Sequence, residues 1–289
     1  MKLSSVLGNR QKLDGGAMFG NAPKALWTRW VPVDDRNRID LACRAMLAET
    51  GKERVLFESG IGCYMAPKWK DRYGVQEDEH VLLSSLAALG LGHEDINAVV
   101  LSHLHFDHAG GLLSAWREGE SPRLLFPNAR FYVGRAAWER ACDPHPRDRA
   151  SFVPELNAQL AASGRLEVLD ADAVLGFGDL TVRFFQSDGH TPGMMCADLR
   201  CDGTRVVFAA DLIPGRPWVH LPITMGYDRF PERLIDEKRR LLEGLAADGG
   251  WLYYTHDHEV AASKVAYDPE NDRFSPMETR PALTREALG

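Results

Sequence analysis

Three histidines and an aspartate fall within six residues in Ser102-His103-Leu104-His105-Phe106-Asp107-His108-Ala109-Gly110-Gly111. Imidazole nitrogen and carboxylate oxygen are donors that a borderline cation such as zinc accepts. His103 and His105 stand two apart, so in an extended loop both point the same way. Asp107 and His108 fall on the following turn and can face a second ion. Gly110 and Gly111 let the chain turn sharply afterwards. The segment follows Ile96-Asn97-Ala98-Val99-Val100-Leu101, an apolar run of strand length that reads as buried on both faces.

One such cluster holds too few ligands for two closed sites. Further donors stand at the ends of other predicted strands. His190 lies in Asp188-Gly189-His190-Thr191-Pro192-Gly193, after the run 180–187. Asp211 closes Val206-Val207-Phe208-Ala209-Ala210-Asp211, where a carboxylate ending an apolar strand must face a site or a partner. His256 ends Trp251-Leu252-Tyr253-Tyr254-Thr255-His256 in the same way. Each alone reads as an ordinary polar residue. Together, beside H-x-H-x-D-H, they read as ligands.

The elements that must position them alternate in type. Strands are predicted at 54–60, 96–103, 130–134, 180–187 and 251–256, with a hairpin over 195–211 that turns at Asp202-Gly203. Helices are predicted at 80–90, 135–142 and 230–250, the last opened by Pro231 and closed by Gly249 and Gly250. Helices flanking mixed sheets follow, in an α/β (α+β) fold rather than a purely parallel one. No composition shift marks a boundary, so residues 1–289 read as one domain, with about the first 40 as a strand plus pocket lip or dimer contact. Among the remaining histidines, His80, His93 and His145 read as surface residues.

Composition narrows the partners. The chain has 289 residues and a net charge of −7, from 34 basic and 41 acidic side chains. An acidic chain with no basic tract argues against nucleic acid. No apolar run reaches the roughly 20 residues of a membrane span. The opening Met1-Lys2-Leu3-Ser4-Ser5-Val6 continues into Arg10, Lys12 and Asp14 and reads as no secretory leader. Five cysteines with no C-x-x-C pair suit reduced thiols in a cytoplasm.

The order H-x-H-x-D-H, His, Asp, His resembles the metallo-β-lactamase fold superfamily, from about Val55 to His256. That resemblance implies a four-layer αββα sandwich of mixed sheets with two divalent metal ions, zinc first among them. His103, His105 and His190 would hold one ion, Asp107, His108 and His256 the other, and Asp211 would bridge them. A hydroxide between the ions would be the nucleophile, with Asp107 relaying the proton. Asp107 and Asp211 are thus the catalytic carboxylates. Glu58, in Phe57-Glu58-Ser59-Gly60, stands where the superfamily has Asp-Thr-Gly and would orient a ligand histidine. His220 and His258 would support the site in the same manner.

Within the superfamily, true β-lactamases carry a Cys where Asp211 stands, and flavodiiron proteins a Glu where His105 stands. Ribonuclease Z-like enzymes share the metal set but bind a polyanion. The segments 102–111, Gly189-His190-Thr191-Pro192-Gly193 and Thr255-His256-Asp257-His258-Glu259 are most similar to N-acyl homoserine lactone lactonases, the quorum-quenching enzymes. The resemblance implies a hydrolase that opens a lactone or related small ester. Glyoxalase II-like thioester hydrolysis, phosphotriester or aryl-ester cleavage, and a metal-binding interaction module are the alternatives. The lactonases carry a Tyr three positions after the bridging Asp. Pro214 stands there in this chain, and Tyr227 is the nearby hydroxyl that would substitute. Met18, Phe19, Phe106, Trp218, Met225 and Tyr227 are expected to form the apolar pocket lining. A homodimer is an open expectation.

Overall fold

The computed structural model describes residues 1–288. Its first sheet has six strands in the order β1 (Lys2–Leu7), β4 (Arg44–Thr50), β5 (Glu53–Phe57), β6 (Ala98–Leu101), β7 (Arg130–Gly134) and β8 (Leu166–Leu169). The second has seven, in the order β15 (Arg273–Arg280), β14 (Ala262–Asp268), β13 (Trp251–Tyr253), β12 (Thr204–Phe208), β11 (Met194–Cys201), β10 (Leu180–Ser187) and β9 (Val174–Phe177). A ribbon of β2 (Gln11–Asp14) and β3 (Arg38–Leu41) stands apart. The helices are α1 (Gly15–Phe19), α2 (Lys24–Trp27), α3 (Pro67–Tyr73), α4 (Val81–Ala88), α5 (Phe106–Ala109), α6 (Arg135–Cys142), α7 (Pro154–Ala162) and α8 (Pro231–Asp248).

Strand period sorts the apolar side chains into layers. In β4, Ala45 and Leu47 join Leu56, Val99, Leu101, Phe131 and Val133 under α4, α6 and α7. The alternate residues Met46 and Ala48 face inward with Val55, Phe57 and Val100, against Phe184, Leu199, Val206 and Phe208 of the second sheet. Phe57 meets Phe208 across the sandwich at 5.8 Å between ring centres. On the far side, α8 buries Leu234, Leu241, Leu242 and Leu245. Both sheets are covered on both faces, which is why their central strands read as unbroken apolar runs. The result is the αββα sandwich with mixed sheets.

The hairpin expected over 195–211 forms between β11 and β12, and Cys201 pairs with Thr204 across the Asp202-Gly203 turn. Both turn residues have positive φ, 49° and 80°, as a two-residue turn of this hand requires. The final hairpin β14–β15 was not predicted. Its outer strand is mostly exposed and polar, so it lacks the apolar alternation that marks a strand. His80 is a correction: it is buried, with Nε2 3.1 Å from the Leu113 carbonyl oxygen. Among the described residues, all five cysteines are free and no helix is long and apolar enough to cross a membrane.

Two expected lip residues are core instead. Phe19 is fully buried between Trp27 and Trp218, with ring centres at 5.2 and 4.7 Å. The Trp218 indole N–H donates to the Met18 carbonyl at 3.0 Å. A short helix, α1, capped by Asp14 accepting from the Ala17 N–H at 2.8 Å, turns Phe19 inward. The irregular sequence concealed a three-ring stack that ties the N-terminal segment to the second sheet. Trp218→Ala should therefore lower unfolding free energy by about 3–5 kcal/mol in denaturant titration. A change in substrate preference at wild-type stability would restore the lip reading.

Candidate metal centre

The residues of the histidine groups come from the segments that follow the carboxyl ends of strands. Glu58 follows β5, and Ser102 and His103 follow β6, with β5 and β6 parallel. His190 follows β10, Asp211 follows β12 and His256 follows β13. Two antiparallel steps, β10 to β11 and β11 to β12, make β10 run with β12, and β12 is parallel to β13. Their carboxyl ends therefore share one edge of the sandwich, where open α/β sheets collect ligands.

There the side chains meet in two groups. Ligand atoms of His103, His105 and His190 lie within 4.8 Å of one another, as do those of Asp107, His108 and His256. Asp211 sits between the groups. Its Oδ2 is 3.2 Å from His190 Nε2 and 3.3 Å from His108 Nε2, and its Oδ1 is 3.2 Å from His256 Nε2. His190 Nε2 is 3.3 Å from His105 Nδ1, and His256 Nε2 is 3.2 Å from His108 Nε2. Metal–nitrogen bonds near 2.1 Å in a tetrahedron put ligand atoms about 3.4 Å apart. The observed spacings fit that geometry.

The outer nitrogens fix which lone pairs face inward. A carboxylate or carbonyl oxygen only accepts, so its partner nitrogen carries the proton. His108 Nδ1–H donates to Glu58 at 2.8 Å, His190 Nδ1–H to Asp228 at 2.9 Å, and His256 Nδ1–H to the Ala42 carbonyl at 2.7 Å. The Ser102 hydroxyl donates to Glu58 and accepts from His103 Nδ1–H at 2.8 Å. Glu58 thus sets two imidazoles at once, and His103 Nε2 remains a buried nitrogen with no protein partner. The trio Glu58, His103 and His108 is then a supporting set rather than a third ion site, because Glu58 holds the outer nitrogens. Both Glu58 (φ 63°) and Ala210, beside Asp211 (φ 46°), hold left-handed backbone that a side chain disfavours.

Burial and charge set the protonation. Desolvation, reinforced by the neighbouring imidazoles, drives His103 and His105 well below the usual histidine pKa, so both are neutral near pH 7. Burial also opposes charge on His108, His190 and His256, but Asp211 and the other carboxylates outweigh it and raise all three. Asp211 is held well below the carboxylate range: burial would raise it, and the charges of His108, His256 and His190 overcome that. Buried nitrogen and oxygen donors converging at ligand spacing fit two divalent cations, which would displace the inner protons of His108, His190 and His256.

The centre opens into a cavity of about 520 Å³. His105, Asp107, His190, Asp211 and His256 reach it, with Met18, Phe106, Met225 and Tyr227 on its walls. Phe19 does not line it, and Trp218 lines a second cavity of about 550 Å³ that shares Leu41 and His256 with the first. His220 and His258 face that second cavity and do not join the ligand groups. Pro214 acts through its carbonyl, which accepts from the N–H groups of His256 (2.9 Å) and Asp257 (3.1 Å).

Several supporting residues escaped the sequence reading. Ser102 and Asp228 are polar residues with no ligand spacing of their own, and Asp228 is 38 positions from His190. Asp257 accepts from Arg216 N–H at 2.9 Å and Nε–H at 2.8 Å and so braces the loop behind His256. Helix α8 contributes two buried charges. Glu237 accepts from the Ser187 hydroxyl (2.7 Å) and from the N–H groups of Asp188 and Gly189 (both 3.1 Å), shaping the His190 loop. Gly189 passes so close that a Cβ there would stand 2.4 Å from the Leu234 Cα. Lys238, drawn down to about 7 by burial, donates to the carbonyls of Trp218, His220 and Ile223 at 3.0, 3.2 and 2.7 Å. The Glu58 network has a measurable consequence. Glu58→Gln should weaken zinc binding about 10- to 100-fold in chelator competition, and an unchanged affinity would remove Glu58 from the support of the site.

Comparison with known proteins agrees with this geometry. A ribonuclease of Thermus thermophilus is 30% identical over 213 residues, covering 63% of this chain and 48% of that protein. An N-acyl homoserine lactonase of a Bacillus species is 29% identical over 116 residues, covering 40% of this chain and 38% of its own. The chain thus spans less than half the length of these curated relatives. A solved structure described as a probable metal-dependent hydrolase from Staphylococcus aureus superposes with a TM-score of 0.83 at 27% identity, covering 96% of this chain and 97% of that one. The sequence profile of the Metallo-beta-lactamase superfamily matches residues 38–265. With the sandwich, the strand-end ligands and this match in agreement, the chain belongs to the metallo-β-lactamase superfamily.

Proposed function

We propose that the chain is a binuclear-metal hydrolase of small esters, with a lactone as substrate. The observation that carries this reading is the pair of histidine-rich groups flanking Asp211 at the floor of a cavity walled by Met18, Phe106, Met225 and Tyr227. The 29% identity to an N-acyl homoserine lactonase supports a lactone.

His103, His105 and His190 would hold one ion, Asp107, His108 and His256 the second, and Asp211 both. Two divalent cations there, zinc first among the candidates, would lower the pKa of a water and polarise the substrate carbonyl. The protein's own groups do the rest. Asp107 is the carboxylate of the second group that borders the cavity, its oxygens 3.8 Å from His108 Nε2 and 3.7 Å from His256 Nε2. It is placed to take the proton of the attacking water and return it to the departing alkoxide. Tyr227 supplies the hydroxyl that Pro214 cannot. Burial, with the charges of Asp107 and Asp14, raises its pKa, so at neutral pH it keeps its proton for donation to the substrate carbonyl. Phe106, packed against Tyr73 at 4.6 Å, gives the substrate an apolar wall.

The metal-loaded protein should open γ- and δ-lactones or an acyl homoserine lactone well above His103→Ala and Asp211→Ala. S-lactoylglutathione, paraoxon and an aryl ester complete the panel. Thioester or phosphotriester cleavage without lactone turnover would keep the site and replace the substrate. Tyr227→Phe should lower kcat/KM on the preferred ester by about 10- to 100-fold with metal content unchanged. Wild-type kinetics in that variant would assign carbonyl polarisation to the metals alone.

A further inference from the structure

An acidic chain encloses this cavity with cations. Lys12, Arg36, Arg38, Arg72, Arg147 and Arg229 all line it, in a chain of net charge −7. They come from separated parts of the sequence, which is why no basic tract announces them. The carboxylates on the same walls have partners, Asp148 through one oxygen only. Asp107 and Asp211 belong to the histidine groups. Asp14 caps α1 and accepts from Asn37 at 2.8 Å. Asp148 Oδ2 accepts from Arg140 Nη2 and Nε at 2.7 and 3.0 Å.

The cations differ in what they have left to offer. Arg38 is paired with Asp34 at 3.0 Å, and Lys12 with Asp40 at 3.4 Å. Arg72 lies over the Trp69 ring at 5.3 Å, a contact that leaves its charge uncompensated. Arg147 donates from Nη2 to the Gly226 carbonyl at 3.2 Å, which leaves its charge unpaired as well. Arg229 is the informative one. Its side chain is only 13% exposed, and its Nε and Nη1 are buried with no hydrogen-bond acceptor. Its nearest carboxylate oxygen, Asp148 Oδ2, is 4.0 Å away, a long ion pair without a hydrogen bond that is shared with Arg140 and compensates the Arg229 charge only in part. The backbone N–H of Arg229 donates to the His190 carbonyl at 3.1 Å, so its position is fixed relative to the ligand loop. Arg229 lines the cavity, and its Nη2, unlike the sealed Nε and Nη1, is the donor free to meet a carboxylate or a phosphate there.

We propose that the substrate carries an anionic group remote from the scissile bond, a carboxylate or a phosphate, seated on Arg229 and Arg147. The scissile bond itself rests on the ester-hydrolase reading above. The cations surround a small-molecule-sized cavity rather than a surface track, which favours a small anionic ester over a polynucleotide.

Matched substrates test the seat on the metal-loaded protein. 4-Nitrophenyl pentanoate and mono-4-nitrophenyl glutarate share leaving group and acyl length and differ in one terminal carboxylate. The 4-nitrophenyl ester of 4-phosphooxybutanoate is the phosphate arm, and whichever anion is preferred identifies the group. The wild type should favour an anionic ester by about tenfold or more in kcat/KM, chiefly through KM, and the preference should shrink as salt rises. Arg229→Met and Arg147→Met should bring the ratio towards unity, and Arg229→Lys should keep part of it. Calorimetric titration with glutaramate, an amide that carries the same carboxylate but no ester, reads the seat without ester turnover, with binding in the wild type and loss in Arg229→Met expected. Turnover of neutral and anionic esters at equal kcat/KM, or a ratio unmoved by the arginine variants, overturns the anion seat and leaves the esterase reading standing. Absence of ester turnover together with arginine-dependent glutaramate binding supports the seat and overturns the esterase reading. Cleavage of single-stranded RNA with the esters untouched overturns both in favour of a polynucleotide substrate.

Discussion

The site depends on a buried carboxylate that touches three imidazoles. Asp211 lies almost wholly inside the protein, with His108, His190 and His256 each within 3.3 Å. Burial alone would neutralise it, and the three rings reverse that by making its charge favourable. Once those rings give up their inner protons, the same arrangement would direct several nitrogen lone pairs at a common space for a divalent cation to accept. Everything around the cluster keeps that arrangement from relaxing. Glu58, Ser102, Asp228 and the Ala42 carbonyl hold the outer nitrogens, so the rings cannot rotate away.

Those restraints come from distant parts of the fold, and the sandwich is what brings them together. Strand direction gathers the loops after β5, β6, β10, β12 and β13 at one edge. Helix α8, covering the outer face of the second sheet, reaches through the layer with Glu237 and Lys238. The first gathers N–H groups of the His190 loop and the second gathers three carbonyls of the segment carrying Trp218. Adjacent residues of opposite charge thereby satisfy opposite kinds of backbone group in two neighbouring loops. The left-handed backbone at Glu58 and Ala210 is tolerated for the same reason: the surrounding contacts over-determine it.

Net charge describes the whole surface, and the cavity has its own sign. The acidic balance of the chain argues against nucleic acid. Yet the walls beside the metal groups carry six basic side chains, and the carboxylates among them are committed to ligands, a helix cap or Arg140. Local field, rather than total charge, decides what a cleft attracts. A dication pair at the floor would add to that field.

How much could be read from the residues depends on the range of the interaction. The spacing of His103, His105, Asp107 and His108 is a local pattern, and local geometry converts it directly into converging side chains. Apolar period likewise exposed the central strands, α4, α6 and α8, because burial on both faces leaves a signal within each element. Glu58 was legible through the segment it occupies. Asp228, Ser102 and Arg216 were not, because each acts on a partner chosen by topology. Phe19 and Trp218 looked like an irregular lip and became core, since stacking depends on which segments the sheets bring together. His80 looked like a surface residue and found a buried carbonyl. The six basic residues stand singly or as a spaced pair along the sequence and become a lining only when β2, β3, α3 and three loops converge. The sequence by itself therefore determined the ligand chemistry and the strands that carry it, which are set by neighbours a few residues apart. The tertiary structure alone decided the support, the walls and the sign of the cavity, because those are contacts between residues tens to hundreds of positions apart.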